Sequence, residues 1–253
     1  MGLFDNVATS ANVTAETDQV RGAKKSPLAS GIYNCIIKYA YVTKAKSGAM
    51  AINLALTGPE DREIRVTEYV TSGDAKGNKT FYEKEKKDSA GNITGKEQFN
   101  LPGFALIDSL CQLVLGKSLL QCTNEKRVIK LYNFDAKAEV PTEVDMLVEL
   151  VGKPVSAAIL HQIQDKTAKN TQTGEYEPTG KTFATNVVDK FLDPLTRKTA
   201  TEAKNNIDAD FATKWEAKWH GQIDNQAEGN KDAGLKGAPV ATGDAAPKTS
   251  LFG

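Results

Sequence analysis

Between Ser72 and Lys87 the chain reads Ser-Gly-Asp-Ala-Lys-Gly-Asn-Lys-Thr-Phe-Tyr-Glu-Lys-Glu-Lys-Lys. Lys76 and Lys79 are able to neutralise phosphates, Gly73 and Gly77 let the backbone approach a ligand closely, and Phe81 and Tyr82 offer faces on which bases stack. The plain alternative is a solvated hairpin whose charges keep a long loop in water. The remaining sequence decides between these two readings.

Other chemistry is thinly supplied. Gly174-Glu-Tyr-Glu-Pro-Thr-Gly180-Lys181-Thr182 resembles a phosphate-binding loop, but five residues rather than four separate its glycines. The segment after Thr182 reads as strand, whereas such a loop needs a helix N-terminus to hold the phosphates. His161 and His220 are the only histidines and lie far apart in the sequence, without ligand spacing. Cys35, Cys111 and Cys122 lack CxxC spacing, which argues against a disulfide framework or a zinc site and suits a reducing cytoplasm. Asp135, Glu139, Glu143 and Asp145 read as a solvated loop and a helix start. No metal, no cofactor and no enzymatic activity are expected, which leaves binding.

Charge narrows the kind of binding. The 253 residues carry 32 bases and 32 acids, so a polycation that coats nucleic acid wholesale is excluded. Residues 31–200 hold 23 bases against 21 acids, and residues 201–253 hold six against eight. No apolar run approaches the ~20 residues of a membrane span, and Met1–Asp5 does not open a signal peptide. A soluble, intracellular protein is expected.

The elements that must position the basic and aromatic residues are set by periodicity. Residues 1–29 read as a flexible arm. Ile32–Val42 is a long strand with Tyr33, Cys35, Ile37, Tyr39 and Tyr41 on one parity and Asn34 and Lys38 on the other. After a turn at Lys44–Gly48, Met50, Ile52, Leu54 and Leu56 alternate in a second strand. A third runs from Glu63 to Thr71, with Ile64 and Val66 inward and Arg65, Thr67 and Tyr69 outward. A hairpin tip is expected at Asp88–Asn92. A helix starts at Pro102, carries the stripe Phe104, Ile107, Leu110, Cys111 and Val114, and ends at Gly116. Val128–Phe134 is a short strand or extended insert, and Val144–Val151 a short helix. The fourth and fifth main strands are Val155–Ile163 and Phe183–Phe191, joined by a polar hairpin, Lys166–Gly180.

A helix over about Thr201–Trp219 carries Ile207, Phe211, Trp215 and Trp219 on one face, packed on the body or on a second subunit. Residues 221–253 are disordered by composition. The expected organisation is therefore an arm (1–29), a domain (30–192), a C-terminal helix (193–220) and a tail (221–253). The domain is mainly β with inserted helices, matching a five-stranded OB-like Greek-key barrel with long hairpins. A mixed α+β sandwich or two half-domains are the alternatives.

On such a barrel one sheet face with its loops makes a groove. Lys38, Lys44, Lys46, Arg62, Arg65 and Tyr69 stand on or beside that face, and Lys76, Lys79, Phe81 and Tyr82 extend it. Tyr39 and Tyr41 face either the core or the ligand. Lysines track a phosphate backbone while aromatic faces accept any base, so the binding tolerates all sequences.

Several segments resemble the single-stranded DNA-binding proteins of tailed bacteriophages. They are Ser30-Gly-Ile-Tyr33, Lys46-Ser-Gly-Ala49 leading into Ile52-Asn-Leu54, and Ser72-Gly73 with Lys76-Gly-Asn-Lys79 and Phe81-Tyr82. Leu101-Pro-Gly-Phe104 and Glu149-Leu-Val-Gly-Lys-Pro-Val155 complete the set. The resemblance spans roughly residues 30–192. It implies an OB-fold body that binds single-stranded DNA in replication, recombination or repair, in the cytoplasm of the infected host. It also implies a strongly acidic tail with a terminal aromatic that recruits replication or recombination proteins. Here Asp224, Glu228, Asp232 and Asp244 face three lysines, while Leu251 and Phe252 keep an apolar tip for partner docking. The competing expectations are a structural or assembly protein of a phage particle and an accessory factor without direct DNA binding. A homo-oligomer is compatible with each.

Overall fold

The computed structural model describes residues 26–227 apart from Ala90, Phe134 and Glu175. Alternating apolar residues build an antiparallel meander first: β1 (Gly31–Lys44), β2 (Met50–Thr57) and β3 (Glu63–Tyr69). A hairpin of β4 (Phe81–Lys87) and β5 (Ile93–Asn100) forms a two-stranded sheet of its own. Helix α1 (Pro102–Leu115) opens on a proline, whose missing N–H is not needed in a first turn, and stops at Gly116. A second hairpin, β6 (Glu125–Asn133) and β7 (Ala138–Met146), touches β1 at Tyr41 and Val42. The long β8 (Pro154–Lys169) pairs with the first half of β1 and with β9 (Tyr176–Leu192). Then come α2 (Ala200–Lys204), α3 (Asp210–Trp219) and β10 (Ile223–Asn225), which runs parallel to β8.

The protein is mainly β with a few helices, and the five expected strands lie side by side in the order β9-β8-β1-β2-β3. Among the described residues β3 pairs only with β2 and β9 only with β8, so the ladder does not close into a barrel. One end of the open seam is bridged by Ser26–Ala29. Leu28 exchanges two hydrogen bonds with the Asn186 side chain on β9, and Arg62 Nη1 donates to the Ser26 carbonyl beside β3.

Hydrophobic burial holds the sheet and α1 together. Phe104, Ile107, Leu110 and Cys111 pack on Ile37, Leu54, Leu56, Val155, Ile159 and Phe191. A smaller cluster seats α3: Ala212 and Trp215 cover Ala158, Leu160 and Leu192, and Trp215 Nε1 donates to Asp189 Oδ2 at 2.6 Å. No described helix is long and apolar enough to cross a membrane.

Three expectations need correction. Val144 and Met146 belong to strand β7, with only a 3-10 turn at Val148–Leu150, because their inward alternation continues a hairpin rather than starting a helix. The expected Thr201–Trp219 helix is two helices. Asn206 takes a left-handed conformation between them, and the Glu202 carboxylate accepts from the backbone N–H groups of Thr199 and Phe211, which ties the break together. Ile207 lies in that break, exposed, and leaves the stripe. Residues 223–225 form a strand, since Asp224 is held by Gln162 and the β8 edge is free to take a partner. The expected polar hairpin at Lys166–Gly180 is present, with β8 reaching Lys169 and β9 beginning at Tyr176.

Candidate nucleic-acid interface

The site begins with an irregularity in β1. Ile37 pairs with Leu56, yet Tyr39, two residues on, pairs with Ala55, so Lys38 is an extra residue bulged out of the ladder. A bulge shifts the alternation by one. Cys35 and Ile37 point into the core before it, and Ala40 points in after it. Tyr39 and Tyr41 therefore leave the parity of Cys35 and Ile37 and stand half-buried on the outer face, beside exposed Lys38. The uninterrupted alternation read from the sequence is thus wrong at this point.

The register assembles the outer face in rows. Tyr39, Ala55 and Arg65 form one row, Tyr41, Asn53 and Thr67 the next, and Thr43, Ala51 and Tyr69 the third. β2 contributes only small residues, and Ala51 and Ala55 are 3% and 0% exposed between taller neighbours. The result is a shallow trough with an aromatic wall on β1 and a mixed Arg65–Tyr69 wall on β3. Its floor is fixed by hydrogen bonds: Asn53 Nδ2 donates to Thr43 Oγ1 at 2.8 Å, and Thr67 Oγ1 donates to Asn53 Oδ1 at 3.0 Å. The Tyr39 and Tyr41 rings lie 5.8 Å apart. Burial raises the Tyr41 phenol above its ordinary value, so it stays a neutral donor at neutral pH.

Two cations on this face are not free. Lys38 Nζ lies 2.5 Å and Arg65 Nε 2.6 Å from the Glu63 carboxylate. The bond from Lys38 holds Glu63 below its usual value, with Arg65 adding to the effect against partial burial. Arg62, expected on the same face, instead turns to Ser26.

The Ser72–Lys79 loop is built rather than loose. Asp74 N–H donates to Ser47 O, Asn78 N–H to Gly73 O, Lys79 N–H to Ser72 Oγ, and Thr71 Oγ1 to Asn78 Oδ1. Its partner loop comes so near at Gly48, φ 79°, that a Cβ there would lie 2.0 Å from the Asp74 carboxyl carbon. The loop is therefore held in one shape by its own hydrogen bonds. It also gathers the exposed Lys44, Lys46, Lys76 and Lys79 at one end of the meander.

From there a cleft of about 560 Å³ runs past Thr67, Tyr69, Lys76, Lys79, Phe81 and Tyr82 to the start of α1. The helix approaches closely: a Cβ on Gly103 would stand 2.5 Å from the Tyr69 carbonyl oxygen, so glycine is required there. Two acids temper the cleft. Burial raises the Glu68 carboxyl above its ordinary value, while Glu83 is engaged by Lys96. Lys79 Nζ lies 5.5 Å from the Phe81 ring centre.

The structure thus places Lys38, Tyr39, Tyr41, Arg65 and Tyr69 on one face, and Lys44, Lys46, Lys76, Lys79, Phe81 and Tyr82 at its loop end. Leu251 and Phe252 lie outside the described residues, as does most of the expected arm and tail. Sequence reasoning missed Ala51, Asn53 and Ala55 as the trough floor, and Phe99 and Lys84 beside Tyr82. Counting back from the Asp88–Asn92 tip would have paired Tyr82 with Gln98; a register shift between Lys86 and Lys87 sets it opposite Phe99 instead. The Gly174–Thr182 segment lies in the β8–β9 hairpin with no helix after it, so it lacks a phosphate-binding helix start. No protein-family model matches the chain, and no curated protein is similar enough to register as a match.

Proposed function

We propose that this protein binds single-stranded DNA without sequence preference, as a non-enzymatic coating protein in phage replication, recombination or repair. The observation that carries the reading is the trough: stacking rings on one wall, Arg65 and Tyr69 on the other, a floor of small residues, and a cluster of lysines at its open end. Such a surface meets the two requirements of single-strand binding, π-faces for any base and cations for the backbone. The strand order β9-β8-β1-β2-β3, a bulged β1 shared between β2 and β8, and a helix between the third and fourth main strands support an OB-like reading of the fold.

The test is a mobility-shift assay at low salt with oligo-dT, oligo-dA and a duplex of matched length. Both single strands are expected to shift at similar protein concentrations and the duplex only at much higher ones. Absence of any complex with either single strand overturns the proposal.

A further inference from the structure

We propose that the β4–β5 hairpin carries a second stacking subsite, formed by Tyr82, Phe99 and Lys84, for an unpaired base and its phosphate beyond the sheet trough. The inference rests on single-strand binding by the trough and extends it from Tyr82, at the trough's loop end, onto Phe99 and Lys84, which the trough does not include.

The hairpin register sorts its side chains onto two faces. Tyr82 lies opposite Phe99, Lys84 opposite Glu97 and Lys86 opposite Gly95, all on one face. Phe81, Glu83, Glu85, Lys96 and Gln98 occupy the other. On the first face the Tyr82 and Phe99 rings lie 5.9 Å apart at 30°, and Lys84 Nζ lies 5.5 Å and 5.7 Å from their centres. The hairpin is a separate two-stranded sheet, and Phe99 remains 41% exposed. Tyr82 beside it is half-buried, so the pair presents Phe99 as its open ring face.

Charge makes the hairpin one-sided. Glu97 is taken by Lys86 at 3.1 Å, and Glu83 by Lys96 at 3.3 Å and Gln98 at 3.4 Å. Lys84 has no carboxylate partner among the described residues, whereas Glu85 adds negative charge to the opposite face. The aromatic face is therefore net cationic. At Gly95 no side chain rises, and a Cβ built there meets nothing within 4 Å, so a strand has room to pass. A base stacking on the rings displaces the Lys84 ammonium, which is free on its four-carbon stem to swing to the adjacent phosphate.

The experiment compares the full chain with Phe99→Ala, Lys84→Ala and Phe99→Trp, using oligo-dT of about 8 and about 24 nucleotides, since one such body covers about 4–16. Phe99→Ala and Lys84→Ala are expected to weaken the longer oligonucleotide about tenfold and leave the shorter one unchanged. Phe99→Trp keeps the longer affinity and gains a fluorescence signal quenched by the longer strand only. Thermal unfolding checks that each variant is folded. Wild-type affinity for both lengths in both alanine variants overturns the subsite, as does an equal loss at both lengths, which would merge the hairpin with the trough. If the wild type binds neither length, single-strand binding itself fails first.

Discussion

Glu63 stands between the two cations that, in the proposed binding mode, the outer face offers to a phosphate, and this gives a residue-level expectation. While ionised it pairs with Lys38 and Arg65 and repels a passing backbone. Glu63→Gln should tighten single-strand binding at neutral pH and steepen its salt dependence by about 0.7 in the log–log slope for each cation released. A salt titration of both proteins measures this, and an unchanged slope would remove Lys38 and Arg65 from the contact. The stability effect has the opposite sign. The folded-state value of Glu63 is lowered, so its contribution is present above the ordinary 4.5 and is lost as pH falls through the lowered value. With Lys38 mostly exposed, that contribution is under about 1 kcal/mol.

Among the elements, the bulge at Lys38 decides which way the tyrosines face. Deleting Lys38 removes the extra residue and leaves Ile37 opposite Leu56 and Tyr39 opposite Ala55 in a regular ladder, each on its present face. The packed core is left in place, so the deletion and Lys38→Ala alike should cost less than about 1 kcal/mol in urea unfolding. A loss of about 3 kcal/mol or more in the deletion variant alone would show that the tyrosines do not keep their outward faces in a regular ladder. The same element marks the limit of what sequence showed. Strand alternation from Met50 to Leu56 and the stripe from Phe104 to Cys111 were legible because burial enforces a period over many residues. Pro102 and Gly116 marked the α1 ends because backbone chemistry restricts those positions. The bulge was not legible, since one extra residue leaves tyrosines that suit either face. Nor was the pairing of residues 223–225 with β8, which depends on a free edge about 60 residues away rather than on local composition.

For the whole molecule, zero net charge means that the proposed affinity for single strands must come from placement. Lys44, Lys46, Lys76 and Lys79 come from two sequence-distant turns, brought together by the Asp74–Ser47 hydrogen bond, while Glu63 and Glu83 are held in ion pairs away from that cluster's lysines. The Ser26–Ala29 segment joins the β3 and β9 edges, and so links the wall bearing Arg65 and Tyr69 to the far side of the sheet. Whether the trough over β1–β3 holds single-stranded DNA is decided by fluorescence anisotropy of labelled oligo-dT at low salt. Wild type is compared with the Tyr39→Ala/Tyr41→Ala double variant, both checked for equal thermal stability. Saturable wild-type binding is expected, with a loss of about tenfold or more in the double variant, as two stacking faces are removed. Equal affinity of the two proteins would show that the strand does not lie in the trough.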